Sequence, residues 1–508
     1  MSKEHRARRR ALLSCEDKTG LEALAKGLVA LGWEIVSSGR TSAYLAEHGV
    51  EHSTVESVTG SPEMLGGRVK TLHPRIHGGI LADRSKADHA ADLEANDITA
   101  IDLVVCNLYK FADNPGIETI DIGGPTMVRA AAKNHAHVGV LTDPADYGAV
   151  LDELRRDGDL AEETRSGLAR KAFALTAAYD AAIVTWLDGE SGDTLPPTIH
   201  LALDRAQELR YGENPHQEGA RYRFSGRPSW WDGVTQHGGM ALSYLNLWDA
   251  DAAWRLVHDL GDRPAAVIIK HANPCGVGVA DDLATAYRLA FECDEKSAFG
   301  GIVAVNGPLS AEVAAEMVGA AQADIVIASA FGEGTLEALA KKRKNTRLLQ
   351  ASAPDRGGLH FRQLGGGFLV QQPHRFERLR DQWKVVSKAT PTEQQWADAE
   401  LAWRVCAHVN SNAVVLVKDG QAVGIGAGQQ SRVDSGEIAT RKAAGRAQGG
   451  ASATDGFYPF RDGMDAAAEA GVAVVVQPGG SLRDDEVIAA ADEHGLALVM
   501  TGERQFLH

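Results

Sequence analysis

Val267-Ile268-Ile269-Lys270-His271-Ala272-Asn273-Pro274-Cys275-Gly276 is an apolar run that ends in a cation and an imidazole side by side. An apolar run closed by Pro and Gly reads as a buried strand running out into a loop. Successive side chains on a strand point to opposite faces, so Lys270 and His271 address one ligand only where the backbone turns irregular. Asn273-Pro274 and Gly276 are expected to supply that irregularity. The pair suits attack by a weak nitrogen nucleophile on a carbonyl: a neutral imidazole, ordinarily of pKa about 6.5, takes the proton, and an ammonium stabilises the developing oxyanion. An isolated Lys-His pair is more often a surface cation beside a structural histidine, so the reading depends on the surrounding chain.

Outward from that stretch, the first two hundred residues alternate strand-like runs with amphipathic helices. Ala11 to Ser14, Trp33 to Val36 and Asp102 to Cys106 read as strands, and a helix carries Leu21, Leu24, Ala25 and Leu28 on one face. This alternation predicts an α/β fold with a parallel sheet covered on both sides. Pro196-Pro197, preceded by the polar turn Asp188 to Asp193, is expected to link a domain of residues 1–196 to one of residues 197–508. The second part holds further α/β segments, a hairpin at Ala413 to Ile425 turning on Asp419-Gly420, and a late strand at Val472 to Val476. The Gly-rich segment Ala351 to Gly367 is expected to separate two subdomains.

A chain of 508 residues with 44% hydrophobic content can build two or more ordinary cores. Asp and Glu number 68 against 52 Lys and Arg, and the net charge of −16 argues against nucleic acid or an anionic membrane as partner. The five cysteines are odd in number, scattered, and without a C-x-x-C pair, which points to a reducing, cytoplasmic setting. Arg6, Arg8, Arg9 and Arg10 read as a solvated tail, with neither a signal peptide nor a membrane span expected.

Three loops of the first part look built for an anion. Ser14 to Thr19 and Ser37 to Thr41 each follow a strand and open a helix, and they carry Lys18 and Arg40. Free N–H groups and the helix dipole attract phosphate there, although a hydroxyl at such a position can equally be a simple helix cap. The third loop, Gly66 to Pro74, holds Arg68 and Lys70, and downstream Asp121-Ile122-Gly123-Gly124-Pro125 leads into a helix with Arg129 and Lys133 at i, i+4. Together these residues suggest a nucleotide-sized substrate.

Taken with Arg210 to Gln217, Ser297 to Gly301, Gly424 to Arg432, Phe457 to Asp462 and Arg504 to His508, these motifs are similar, end to end and in order, to the bifunctional purine-biosynthesis enzymes that combine AICAR transformylase with IMP cyclohydrolase. The resemblance implies an N-terminal domain of methylglyoxal-synthase-like fold. It also implies a transformylase of two cytidine-deaminase-like subdomains without zinc. The implied reactions are formyl transfer from 10-formyltetrahydrofolate to AICAR, then dehydrative closure of formyl-AICAR to IMP. By the same matching, Lys270 and His271 are the transformylase pair, and Lys70, Tyr109, Asp121 and Lys133 orient and polarise the closing substrate. Ser14, Lys18, Ser38, Gly39, Thr41, Arg68, Thr71 and Gly123 match the nucleotide cradle of the cyclohydrolase. Arg210, Tyr211, Gly301, Asp324, Asn412, Phe457 and Arg504 match AICAR positions, and Arg432, Phe460 and Asp462 match folate positions. A homodimer with shared transformylase sites is implied, no resident metal is expected, and the resemblance leaves room for a monovalent cation.

Two departures stand out. Glu16 and Arg40 occupy loop positions where the family has small or hydroxylated residues, and they are expected to pair; the segment Phe111 to Asp121 is shorter than usual. Among other readings, a zinc deaminase fails because position 273 is Asn instead of the acid/base Glu and position 278 is Gly instead of Cys. A nicotinamide dehydrogenase fails because Gly424, Gly426 and Gly428 do not make G-x-G-x-x-G. A non-catalytic nucleotide sensor is disfavoured by the joint presence of Lys70, Asp121 and Lys133.

Overall fold

The structure, a computed structural model, describes residues 8–109 and 111–508. Their contacts divide into two compact units, one running to Asp204 with Phe224–Arg227 added, the other comprising Arg205–Arg223 and Pro228–His508.

In the first unit β1 (Arg10–Leu13), β2 (Glu34–Ser37), β3 (Ser53–Thr54), β4 (Leu103–Val105) and β5 (Gly139–Leu141) form a parallel sheet in the order β3-β2-β1-β4-β5. Beyond Arg10 the central strands β1 and β4 are short, apolar and buried, as parallel strands sandwiched by helices must be. Helices α1 (Leu21–Ala30), α2 (Gly39–Glu47), α3 (Gly123–Lys133) and the long α4 (Glu162–Ser191) contribute to one core with the sheet. Two sequence expectations are corrected here. The arginines are not a free tail: Arg10 opens β1 and pairs with Glu34 at 3.0 Å, while Arg9 lies over the Trp33 ring and meets Asp159 at 3.1 Å. Arg6 lies outside the described residues. The polar turn at Asp188 is the end of α4, which continues to Ser191 and stops only at Gly192, where φ is 72°.

The second unit is built on a twelve-stranded sheet that contains the same pattern twice. Its first half runs α5 (Tyr244–Asp259), β6 (Ala265–Lys270), β7 (Asn273–Val279), α6 (Leu283–Cys293), β8 (Ile302–Val305), α7 (Ala311–Gly319), β9 (Ile325–Ala328), α8 (Thr335–Lys342) and β10 (Arg347–Gln350). Its second half repeats this order as α9 (Glu393–Cys406), β11 (Val414–Lys418), β12 (Gln421–Gly426), α10 (Arg432–Ala443), β13 (Ala451–Thr454), α11 (Asp462–Glu469), β14 (Val474–Gln477), α12 (Asp484–His494) and β15 (Ala497–Met500). Each half opens with a capping box, Ser243 with Asn246 on α5 and Thr392 with Gln395 on α9. Strand order is β7-β6-β8-β9-β10 in one half and β12-β11-β13-β14-β15 in the other, and the two hairpins meet where Gly278 of β7 pairs with Gln421 of β12. Short strands Thr235–Gly238 and Lys384–Val385 close the two outer edges.

Residues 351–367 therefore connect the halves along the chain, but the halves are one sheet in space. Part of that segment forms a separate hairpin, His360–Leu364 with Gly367–Gln371. One face of the large sheet carries a continuous core under α5 and α9, centred on the fully buried Trp254 and Trp403. The other face carries two separate cores, one for each half.

Close helix approach explains the glycines that resemble a dinucleotide motif. A Cβ on Gly276 or Gly278 of β7 would lie 2.0 or 2.2 Å from a carbonyl oxygen of α6, and one on Gly424 or Gly426 of β12 would lie 2.1 or 1.9 Å from a carbonyl oxygen of α10. These are packing glycines, one pair in each half.

Candidate active sites

In the first unit, the loops after β1, β2 and β4 converge at the carboxyl ends of the strands, where open parallel sheets bind ligands. The β1 loop is shaped by Asn107, whose Oδ1 accepts from the N–H groups of Glu16 (2.6 Å) and Asp17 (2.9 Å). Thr41 on α2 ties the same loop down, accepting from the Cys15 N–H and donating to the Cys15 carbonyl, both at 3.0 Å. Ser38 is the residue before α2, and Ser38, Thr41 and Thr71 are buried. Lys18 folds back onto the carbonyls of Cys15 and Glu16. Ser14 donates its N–H to the Val105 carbonyl at 2.8 Å, which joins the β1 and β4 ends.

Lys70 reaches this region from the third loop. A Cβ built on Gly39 would lie 3.0 Å from its Nζ, and Glu63 holds that ammonium at 3.0 Å. Arg68 pairs with Glu118. Thr71 sits against the start of α3, its Oγ1 3.2 Å from the Cβ position of Gly123. Asp121 accepts from the Gly124 N–H at 2.9 Å and donates its own N–H to the Tyr179 hydroxyl at 2.8 Å. Burial raises the Asp121 carboxyl above the usual aspartate range, only partly offset by the N–H groups of Gly124 and Gly123.

The expected Glu16–Arg40 pair forms, at 3.0 Å, and Arg40 also lies 5.7 Å from the Tyr109 ring centroid with its Nη2 3.3 Å from the hydroxyl. The two departures thus offset each other in charge and carry Tyr109 with them. Lys133 lies exposed in the last turn of α3, ten residues from Gly123.

In the second unit, β6 and β7 are joined by a two-residue turn. His271 and Ala272 have φ of 54° and 57°, both left-handed, the signature of a type I′ hairpin turn. The turn itself lies at His271-Ala272, one step before Asn273-Pro274, which already belong to β7, and the expected irregularity at Pro274 and Gly276 is a register shift between them. Lys270 donates to the Phe299 carbonyl at 2.9 Å, while His271 is exposed. Under the turn, Asp249 of α5 accepts from the N–H groups of His271 (3.2 Å) and Ala272 (2.8 Å). Burial raises the Asp249 carboxyl, and these two N–H groups pull it part of the way back.

The neighbouring groups converge from several elements. Gly301 precedes β8, whose Ile302 pairs with Ile269, and its carbonyl accepts the Asp324 N–H at 2.9 Å. Asp324 faces Arg347 at 4.0 Å and acts electrostatically on Asp249. Arg347 in turn feels Arg210 and Tyr211, which are joined by a 2.7 Å hydrogen bond from the guanidinium to the hydroxyl.

The second half of the sheet supplies another group. Arg432 donates to Asp455 (2.8 Å), to the side-chain Oδ1 of Asn412 (2.9 Å) and to the Phe457 carbonyl (3.2 Å), and Asp455 is fully buried. Its guanidinium joins Asn412 to Asp455, while its buried Nε has no partner among the described residues. Phe460 is exposed under Arg483, Asp462 begins α11, and Arg504 lies over Phe506. Asn273 links the two groups, its Nδ2 donating to the His271 carbonyl (3.1 Å) and its Oδ1 accepting from Asn410 (2.9 Å), two residues before Asn412.

Cys275, which had suggested a zinc deaminase, is buried, donates toward the Ile268 carbonyl, and has its thiol pushed up to about 12 by burial. Among the described residues no group of three or more His, Cys, Asp or Glu is arranged to hold a metal ion. Asn107, Glu63, Asp249, Arg347 and Asp455 are the residues that sequence reasoning missed. All are polar residues in ordinary-looking positions whose partners are distant in sequence.

The family described as AICARFT/IMPCHase bienzyme matches residues 131–442, and the MGS-like domain matches residues 20–131. Among curated relatives, the bifunctional purine biosynthesis protein PurH of Roseobacter denitrificans is 48% identical over 98% of this chain and 99% of its own. Those of Dinoroseobacter shibae and Parvibaculum lavamentivorans are 50% and 47% identical, each over 98% of this chain and over 99% and 97% of their own. The crystal structure of ForH is 39% identical, covers 36% of this chain and 100% of that one, and superposes with a TM-score of 0.34. Similarity of this degree over nearly the whole length, on an MGS-like domain followed by a doubled α/β unit, places the chain in the PurH family of bifunctional purine biosynthesis proteins, the AICARFT/IMPCHase bienzymes.

Proposed function

We propose that the second unit transfers the formyl group of 10-formyltetrahydrofolate to the 5-amino group of AICAR, and that the first closes formyl-AICAR to IMP. The observation that carries this reading is the left-handed hairpin turn that exposes His271 directly after Lys270 at the end of β6. AICAR's amine is conjugated with its ring and is a poor nucleophile, so the site must remove a proton as the nitrogen bonds to the formyl carbon. His271 takes that proton and Lys270 stabilises the oxyanion. The bond from the formyl carbon to N10 then breaks, the proton passes to N10, and tetrahydrofolate leaves. Arg210, Tyr211, Gly301, Asp324, Asn412, Phe457 and Arg504 would hold AICAR, with Arg432, Phe460 and Asp462 toward the folate.

Ring closure asks less, because nucleophile and electrophile are on one molecule and orientation supplies much of the rate. The carboxamide nitrogen attacks the formyl carbon and the former carbonyl oxygen leaves as water. Lys70, Tyr109, Asp121 and Lys133 polarise and orient, while Ser14, Lys18, Ser38, Gly39, Thr41, Arg68, Thr71 and Gly123 cradle the nucleotide. The roles are divided at the Pro196-Pro197 linker. The reading includes a cytoplasmic homodimer with shared transformylase sites and allows a monovalent cation. It is supported by the exposed Leu364, Phe368 and Leu369 of the separate hairpin, an apolar surface of the kind that dimers cover. No helix of the described residues is long and apolar enough to cross a membrane.

The pure protein given AICAR and 10-formyltetrahydrofolate should release tetrahydrofolate and IMP together. His271→Ala should lose formyl transfer by ~100-fold or more yet still close supplied formyl-AICAR. Lys70→Ala should do the reverse. Loss of both activities in a folded His271→Ala protein would refute the two-site assignment.

A further inference from the structure

His271 and Ala272 both adopt a left-handed backbone, a conformation that residues with a Cβ avoid and that hairpins normally assign to Asn-Gly or Asp-Gly. The duplicated half shows the favoured solution at the corresponding place. There the β11–β12 turn is Asp419-Gly420, with φ of 50° and 78°, flanked by Lys418 as the first turn is flanked by Lys270. Both turns rest on a carboxylate from the helix that opens their half. Asp398 of α9 accepts from the N–H groups of Asp419 and Gly420, each at 3.0 Å, as Asp249 of α5 accepts from those of His271 and Ala272. Glycine eases the second turn. The first has none, so its geometry depends more heavily on the carboxylate beneath it.

We infer that Asp249 is a positioning residue for formyl transfer: by clasping both N–H groups of the His271-Ala272 turn, it holds the imidazole in its working place beside Lys270. The inference rests on the reading of His271 as the general base. Each oxygen of the carboxylate serves one N–H, and an isosteric amide cannot reproduce this, because its NH2 group would face a second donor. With one N–H released, the turn is free to relax out of the left-handed region. The imidazole would then shift by the ångström or so that costs heavily in a reaction dependent on alignment.

The test compares Asp249→Asn, Asp249→Asn/Ala272→Gly, Asp398→Asn and His271→Ala in the full chain, each assayed for formyl transfer and for closure of supplied formyl-AICAR. Asp249→Asn should lower the formyl-transfer kcat by roughly 10–100-fold, with KM for AICAR changed by less than about threefold and ring closure intact. Adding Ala272→Gly should restore much of the lost kcat, because glycine supplies the turn conformation without the clasp. Asp398→Asn should leave kcat within about twofold. An unchanged kcat in Asp249→Asn, no recovery with Ala272→Gly, or an equal loss in Asp398→Asn would overturn the inference. If Asp249→Asn does not fold, the double variant decides: soluble protein with measurable transfer supports the positioning role, and failure to fold overturns it. Retention of formyl transfer by His271→Ala would instead refute the reading of the site itself, so the two failures are distinguishable.

Discussion

Asp121 joins a catalytic proposal to a titration. Its burial raises the carboxyl pKa, so the acid limb of the ring-closing rate should lie above the value near 3.9 at which a free aspartate titrates. A pH profile of kcat on supplied formyl-AICAR checks this, and Asp121→Asn should remove the limb along with most of the rate. A carboxyl whose folded pKa is raised stabilises the fold below its unfolded pKa and loses that contribution as pH rises through the folded value. At pH 7 the Asn variant should therefore melt higher, by about 1–3 °C. Glu16 allows a second prediction. Its pair with Arg40 is largely exposed and worth at most about 1 kcal/mol, so Glu16→Ala should barely change Tm. By leaving Arg40 without its carboxylate, however, it should lower KM for formyl-AICAR, and a raised KM would contradict an anion-binding loop. The pairing was legible in the sequence because the two residues follow adjacent strands. Asp249 and Asn107 were not, since each serves backbone N–H groups of a segment 22 or 90 residues away.

At the scale of elements, the duplicated unit depends on how closely its helices approach its strands. Gly426→Ala would put a Cβ 1.9 Å from the Ser435 carbonyl oxygen, backbone against backbone with nothing flexible to yield. A loss of about 3 kcal/mol or more is expected, visible as a lower Tm or loss of soluble protein. The end of α5 is joined to the turn just after α9, where His408 lies 2.9 Å from Asp259. Burial would raise the Asp259 carboxyl, but the hydrogen bond from His408 and the charges of His408, Arg356 and Arg404 outweigh it and lower it overall. A depressed carboxyl stabilises above its unfolded pKa, near 3.9, and loses that contribution as pH falls through the folded value. Asp259→Asn should therefore lower Tm at pH 7, by an amount corresponding to about 1 kcal/mol, and the difference should shrink as pH falls below about 3.9. A difference independent of pH would mean that the contact is not ionic.

For the whole molecule, the predicted outcome is a dimer by sedimentation at micromolar concentration. Mixed Lys270→Ala and Phe460→Ala chains, each inactive alone, should regain part of the formyl transfer if sites are shared between subunits. No recovery under conditions of demonstrated subunit exchange would argue for sites complete in one chain. Separate chemistry on separate units also predicts that ring closure on supplied formyl-AICAR is insensitive to every substitution in the large sheet that leaves the protein folded.

The amino-acid order by itself determined the strands and the class of chemistry. Apolar runs such as Val267 to Ile269 are too hydrophobic for anything but a buried strand, and Asp419-Gly420 between two such runs specifies a hairpin through local backbone preference alone. The motifs, in their order along the chain, are those of the family. Only the tertiary structure decided that His271-Ala272 is the same kind of turn, because its residues carry no local preference for it and a carboxylate from α5 holds it. The fold likewise set Arg432 of α10 against the buried Asp455. A motif records which residues are present, whereas the direction of a helix and the position of a buried counter-charge depend on contacts between segments far apart in the chain.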